Sequence, residues 1–334
     1  MKLPRVTMGD VAQAAGVSPM TVSNTFKYPQ RVQEQTRLRV LASAHELGYV
    51  PNLVAGNLAA GESRVIGGTI PSIRNSSFYK YVLGMQQAVN LQGYKLVLML
   101  ADTIAQEREA VETLIGLRVA GLVLVGNEHD PATVSLLRKV DVPVVESWTH
   151  GDAMDMGVGY DTAEATRRAV RLLLARGRRR IALIIHEGGA ARRFTERVPA
   201  FRDEMARAGL PGDLVQSVQI TDGFGAGPVA LGALLARAAD LEAVICPTDV
   251  VAAGILFECQ RRGIAVPDDL AVAGWGDYEV SSEMTPQLTT IGPNAAEMGT
   301  EAVDLLIRRV QGQPIRNRLV DTGFTLIERA STGG

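Results

Sequence analysis

From Arg64 onward the chain alternates short continuous apolar runs with stretches in which apolar residues recur at helical spacing. The runs VIGGTIP, KLVLML, GLVLVG and VPVVES are separated by helical segments from Phe78, from Ala105 and near Pro131. RIALII, VQSVQI, EAVICP and LAVAGW repeat the rhythm, with helices through Phe201, from Pro228 and through Ile255. A strand that is apolar on both faces belongs in a parallel sheet covered by helices on each side, because neither face meets water. Two such units predict an α/β body of two doubly wound parallel-sheet subdomains, with a ligand cleft between them at the carboxyl ends of the strands.

The first fifty residues follow a different pattern. Thr7 caps a helix through MGDVAQAA, Asp10 sits in its first turn where a negative charge suits the dipole, and Gly16 ends it. Ser18 and Pro19 read as the N-cap and first residue of a second short helix. A third, from Gln33 to Leu47, stops at Gly48. Two short helices joined by a tight glycine turn predict a helix-turn-helix in a small all-α head, with Val11, Ala14, Ala15, Val17, Val22, Val40, Leu41, Ala44 and Leu47 as its core. The stretch VSPMTVSN is too polar for a core segment. Once Val22 is packed, Ser18, Met20, Thr21, Ser23, Asn24 and Lys27 are left outward, a surface able to reach base edges or phosphates in a major groove; Thr7 and Pro19 join them as candidate DNA contacts.

Charge sharpens this division. Residues 1–61 hold six Lys/Arg against three Asp/Glu, or +3, which leaves −5 for the rest of a chain of net charge −2. A basic head on an acidic body fits one end meeting phosphate, although simple scatter gives the same count. The amino terminus lacks the apolar run of a signal peptide and no stretch approaches a membrane span, so a cytoplasmic protein is expected. Cys246 and Cys259 are too few for a disulfide framework and lack metal-ligand spacing. Four scattered histidines, and the absence of GxSxG, HExxH and P-loop motifs, leave no catalytic set. TDGFGAGP imitates a dinucleotide loop, the feature that would favour a dehydrogenase, but Pro228 occupies the third glycine position. Neither enzyme activity, cofactor nor metal is expected.

The run TMGDVAQAAGVSPMTVSNTF, continuing to TRLRVLASAHELGYVPN, resembles the amino-terminal signature of LacI/GalR-type bacterial repressors almost position by position. It departs at Asn24, where members carry an Arg assigned to operator contact; Asn prefers adenine to the guanine that Arg reads. LVAGNLAAGES resembles the family's hinge helix, which implies Leu58 as a minor-groove wedge. The body resembles the periplasmic-binding-protein architecture of the same family. The resemblance implies a helix-turn-helix domain at 1–50, a hinge at 51–63 and an effector and dimerisation domain at 64–330, its first lobe 64–160 plus 293–326 and its second 161–292.

Site residues follow from the same resemblance. CPTDVVAAG is similar to the family's Asn-Asp run, which implies that Asp249 faces the cleft and accepts from sugar hydroxyls, with Thr248 in place of Asn. RVPAF implies Arg197 as the effector-contacting arginine, with Ala200 in place of glycine. PSIRNSSFY implies Arg74, Asn75 and Phe78 as cleft residues; Phe224 and Trp275 are candidates for stacking on a sugar or for the core. FECQRRGIAVPDDLAVAGW, VPVVESW, MGVGYDTAEA and DTGFTLIE are most similar to the gluconate-utilisation repressors. Arg197 and Arg74, with Arg192 and Arg193 nearby, could clamp a carboxylate or be solvated. The implied partners are double-stranded palindromic operator DNA, a sugar-acid effector such as gluconate or 2-ketogluconate, and a second copy in a homodimer or a tetramer, with no membrane. A neutral sugar or a purine acting as co-repressor, and a sugar-binding protein without DNA binding, are the alternatives.

Overall fold

The computed structural model describes residues 6–51, 63–72, 78–187 and 196–333. Leu58, Arg74, Asn75, Arg192 and Arg193 lie outside the described residues. Two compact units divide the chain, Met1–Ser63 and Arg64–Gly334.

The first unit holds three helices, α1 (Met8–Ala15), α2 (Pro19–Lys27) and α3 (Glu34–Glu46). Thr7 and Asp10 form a reciprocal capping box at the start of α1, and Gly16 ends it in the left-handed conformation at φ 63°. The bond from the Thr7 backbone, then that from its hydroxyl, hold the Asp10 carboxyl below its usual range. Ser18 caps α2 by accepting from the Thr21 N–H at 3.2 Å, and Pro19 fills its first position. Val11, Ala12, Ala15, Val22, Val40 and Ala44 form the buried core, with Val6, Val17, Phe26 and Tyr49 packed around it. Ala14, Leu41 and Leu47, expected in that core, are exposed. Ala14 and Leu41 each stand about 100° around their helix from a buried neighbour, Leu47 caps the end of α3, and helices this short bury only one narrow stripe.

The second unit contains two six-stranded sheets. In the first lobe β1 (Val65–Ile70), β2 (Lys95–Leu100), β3 (Gly121–Val125), β4 (Val144–Ser147) and β5 (Met156–Gly159) are joined by β11 (Leu319–Asp321) in the order β11-β5-β4-β3-β1-β2, all parallel. In the second, β6 (Ile181–Glu187), β7 (Val215–Gln219), β8 (Ala243–Ile245), β9 (Ala271–Trp275), β10 (Thr289–Pro293) and β12 (Phe324–Ile327) run β12-β10-β9-β8-β6-β7, with only β12 antiparallel. The helices of the first lobe are α4 (Phe78–Leu91), α5 (Ile104–Gly116), α6 (Pro131–Val140) and α12 (Ala295–Val310). Those of the second are α7 (Thr162–Ala175), α8 (Arg197–Arg207), α9 (Ala226–Arg237), α10 (Asp249–Arg262) and α11 (Val280–Glu283). A Cβ on Gly84 of α4 would strike the Ala296 backbone of α12, so glycine there lets the two helices lie almost in contact.

The lobe boundary expected at 326 needs correction. Gly323 turns the chain at φ 67°, with its N–H donating to the Asp321 carboxylate, and sends Phe324–Ile327 into the second sheet beside β10. The three crossings between lobes are tied together where they pass. Thr322 donates from N–H and hydroxyl to the Gly159 carbonyl, and Asn294 Nδ2 donates to the Thr322 carbonyl at 2.6 Å.

On the outer face of the first sheet, His129 lies buried between two carboxylates. Its Nδ1 is 2.7 Å from Glu107 of α5 and its Nε2 3.1 Å from Glu146 of β4, whose other oxygen accepts from the Met154 N–H. Burial alone would lower the imidazole pKa, but the hydrogen bonds and charges of Glu107 and Glu146 outweigh it and hold it at about 9. Because the folded value lies above the unfolded 6.5, the stability it brings is complete below 6.5 and is lost as pH rises through 9. The unfolding free energy, followed by chemical denaturation from pH 6.5 to 9.5, is expected to fall more steeply for the parent protein than for His129→Gln, by up to about 1.4 kcal/mol per pH unit.

Candidate functional site

On the head, α2 carries its candidate contacts as the sequence arranges them. Met20 and Lys27 are exposed, Thr21, Ser23 and Asn24 half-exposed, and Val22 and Thr25 are turned into the core. Two hydroxyls have local duties, since Ser18 Oγ is 3.0 Å from Thr21 Oγ1 and also caps the helix. Thr7 is similarly engaged by Asp10. Arg31, just beyond α2, lies 4.6 Å from the Tyr28 ring centroid, which adds an ordered cation close to Lys27. Sequence patterning did not single out this pair.

In the second unit the parallel strands of each lobe end at one edge, where helix N-termini and loops offer polar groups. A row of aromatic rings runs from one lobe to the other at that edge. Phe78 is 4.9 Å from Trp148, Trp148 6.4 Å from Tyr160, and Tyr160 6.5 Å from Trp275, with Tyr81 5.8 Å from Trp148. The Trp275 indole N–H donates to the Tyr160 hydroxyl at 2.8 Å. Tyr81 donates to Ser147, which donates to the Leu124 carbonyl, and burial pushes the Tyr81 phenol far above its usual pKa. Trp148 sits at φ 60°, a left-handed conformation that bulky residues adopt only where their surroundings hold them.

Arg197, the first residue of α8, joins this row. Its guanidinium carbon lies 3.4 Å from the Trp275 ring centroid, it donates to the Pro247 carbonyl at 3.4 Å, and only 3% of the residue is exposed. A cation this close to an indole face gains from the ring quadrupole. Phe78 and Trp275, expected at the cleft, both belong to the buried core as well.

Asp249, implied as a cleft residue, opens α10 just after β8. It is fully buried, and three protein donors occupy its oxygens: the Thr290 hydroxyl at 2.6 Å, the Tyr278 N–H at 2.8 Å and the Ser281 hydroxyl at 2.8 Å. Burial is the largest influence on its carboxyl and raises the pKa against the lowering effect of those bonds. These bonds fasten the start of α10 to β10 and to the segment after β9. Thr248, beside it, caps α10 by accepting from the Val251 N–H. Phe224, a candidate for stacking on a sugar or for the core, is 48% exposed, and its ring centroid lies 6.1 Å from that of Phe257 of α10.

Sequence reasoning missed Trp148, Tyr160, Tyr81 and Ser147. The VPVVESW run placed Trp148 at the end of β4, and that position is the signal that could have found it. Among the described residues no cluster of His, Cys, Asp and Glu could hold a metal ion, and no helix is long and apolar enough to cross a membrane.

The family described as Bacterial regulatory proteins, lacI family, matches residues 7–52, and Periplasmic binding protein-like domain matches 170–332. The HTH-type transcriptional regulator GntR of Escherichia coli (strain K12) is 32% identical over 98% of this chain and 98% of its own length. The ribose operon repressor of the same strain is also 32% identical, over 97% of this chain and 99% of its own. The lac repressor dimer bound to operator and the anti-inducer ONPF superimposes with a TM-score of 0.84 at 26% identity, covering 98% of this chain and 99% of that one. A head built to enter a groove and two lobes facing a common strand edge therefore have full-length counterparts among regulators, and the chain belongs to the LacI family of DNA-binding, ligand-responsive transcriptional repressors.

Proposed function

We propose that the protein represses a sugar-acid catabolic operon in the cytoplasm, binding a palindromic operator as a homodimer and releasing it when an aldonate such as gluconate or 2-ketogluconate enters the cleft. The observation that carries this reading is the pairing of Arg197 with Trp275 at the strand ends while the Asp249 carboxylate is sealed away. An anionic ligand then meets a fixed cation without an opposing Asp249 charge at contact distance. Arg74, Asn75 and Phe78 complete the proposed effector contacts, with Thr248 at the mouth of α10. Ser18, Pro19, Met20, Thr21, Ser23, Asn24, Lys27 and Thr7 contact the operator, and Leu58 acts as the wedge. Exposed apolar side chains on both lobes, Leu83 and Leu91 of α4 and the Phe224–Phe257 pair, support a face buried by a second copy. The equal identity to the ribose operon repressor favours a second reading, a neutral sugar as effector. Calorimetric titration with D-gluconate, 2-ketogluconate and D-ribose separates the two.

Arg197→Ala is expected to weaken D-gluconate binding by about tenfold to a hundredfold, the loss of one charge-assisted bond, while operator binding persists. Asp249→Ala is expected to lower the melting temperature by several degrees, because removing the carboxylate leaves three donors short of an acceptor. Calorimetry and thermal melts on the two variants check the division between ligand contact and structural carboxylate.

Asn24→Arg is expected to shift base preference toward guanine at one position of each half-site, with little change elsewhere. Gel shifts against single-substitution operator variants read this out, and uniform tightening on all of them would assign the residue to a phosphate.

A further inference from the structure

Away from the three crossings, a direct ion pair joins the lobes. Lys80 of α4 donates from Nζ to the Asp277 carbonyl and stands 3.8 Å from its carboxylate. Asp277 follows β9 by two residues and is held at φ 47°, a left-handed conformation that costs a non-glycine residue roughly 1 kcal/mol or more. The second lobe fixes it independently of Lys80. Its N–H donates to the Thr290 hydroxyl at 3.3 Å, and its Oδ1 accepts from Arg329 Nη2 at 3.0 Å, while Arg329 Nη1 donates to the Leu288 carbonyl. Tyr79 faces the same seam, its phenol pushed up first by burial and then by the charges of Glu279 and Asp277.

Both ends of this link lead into the cleft. On the second-lobe side, Asp277 is two residues from Trp275, on which the Arg197 guanidinium lies. On the first-lobe side, Lys80 sits between Phe78 and Tyr81, which flank Trp148. Helix α4 packs backbone to backbone against α12 at Gly84 and Gly299, where no side chain would fit. A displacement of the 275–278 segment by a ligand on Trp275 therefore pulls directly on a helix that is rigidly part of the first lobe.

We infer that Lys80 is a positioning residue, a latch that couples ligand occupancy at Trp275 in the second lobe to helix α4 in the first and so sets how strongly the effector changes operator affinity. The identity of the ligand rests on the sugar-acid reading; the latch itself does not. The side chains of Lys80 and Asp277 are 30% and 31% exposed, so screening keeps the pair well short of a buried bridge. Such a link biases an orientation without holding the fold together.

The test uses the full-length protein with Lys80→Met, which keeps the apolar stem and removes the charge, Lys80→Arg as the conservative rescue, and Asp277→Asn as the reciprocal change. The readout is the ratio of operator Kd with and without saturating D-gluconate. Lys80→Met should lower that ratio roughly tenfold, with ligand-free operator affinity and melting temperature unchanged, and Lys80→Arg should restore most of it. Asp277→Asn, which keeps the carbonyl, should lower it about threefold. A second readout needs no ligand. The chain has two tryptophans, Trp148 and Trp275, one in each lobe at this seam, so their emission should shift in Lys80→Met and return in Lys80→Arg. A parental ratio together with parental emission in Lys80→Met overturns the latch. If D-gluconate fails to bind the parent protein, the effector reading fails and emission alone decides the latch: a shift reversed by Lys80→Arg supports it, and no shift overturns it.

Discussion

One buried carboxylate, with no cation partner among the described residues, organises the second lobe. Asp249 opens α10, where the helix dipole favours a negative charge, and draws in donors from β10, from the segment after β9 and from α11. Burying such a group is tolerable only when hydrogen bonds replace its water, so the donors cannot drift without a large penalty. A Cβ on Gly274 would collide with this carboxylate, which forces β9 to be bare at that point. Trp275 and Asp277 stand on either side of the segment so fixed. The stack of Arg197 on the indole and the link from Lys80 to Asp277 therefore both inherit their positions from Asp249.

The first lobe meets this arrangement with side chains of another kind. Phe78, Tyr81, Trp148 and Tyr160 form a continuous aromatic row whose two buried hydroxyl-bearing members find partners, Ser147 for Tyr81 and the Trp275 indole for Tyr160. The imidazolium clamp of His129, Glu107 and Glu146 stiffens the opposite face of β4, directly before Ser147 and Trp148. Rigid lobes tied at three crossings can respond to a ligand mainly by changing their relative orientation.

Much of this was legible in the sequence because the determinants are local. Capping by Thr7 and Ser18, the Gly16 stop and the continuous apolar strand runs each depend on neighbours a few residues away, and the helices and strands they predict are present. The role of Asp249 was not legible, since its three partners lie 29 to 41 residues away and only folding brings them to it. Position in a motif placed it near the cleft and gave no account of which way the carboxylate points. The contact of Phe224 with Phe257 was not legible for a similar reason, since Phe257 belongs to a neighbouring helix. Trp148 carries only the signal of its position at a strand end, and Lys80 carries none; both acquire meaning from what the other lobe sets against them.

The proposal that bears most on function is that an anionic effector meets Arg197 on the Trp275 face while Asp249 keeps its bonds within the fold. A crystal structure of the full-length protein with D-gluconate tests it most directly. The account predicts the ligand's carboxylate within about 3 Å of the Arg197 guanidinium, hydrogen-bond distance for a charged pair, with Asp249 still bonded to Thr290, Tyr278 and Ser281. A ligand hydroxyl on the Asp249 carboxylate, or a carboxylate bound away from Arg197, would contradict it.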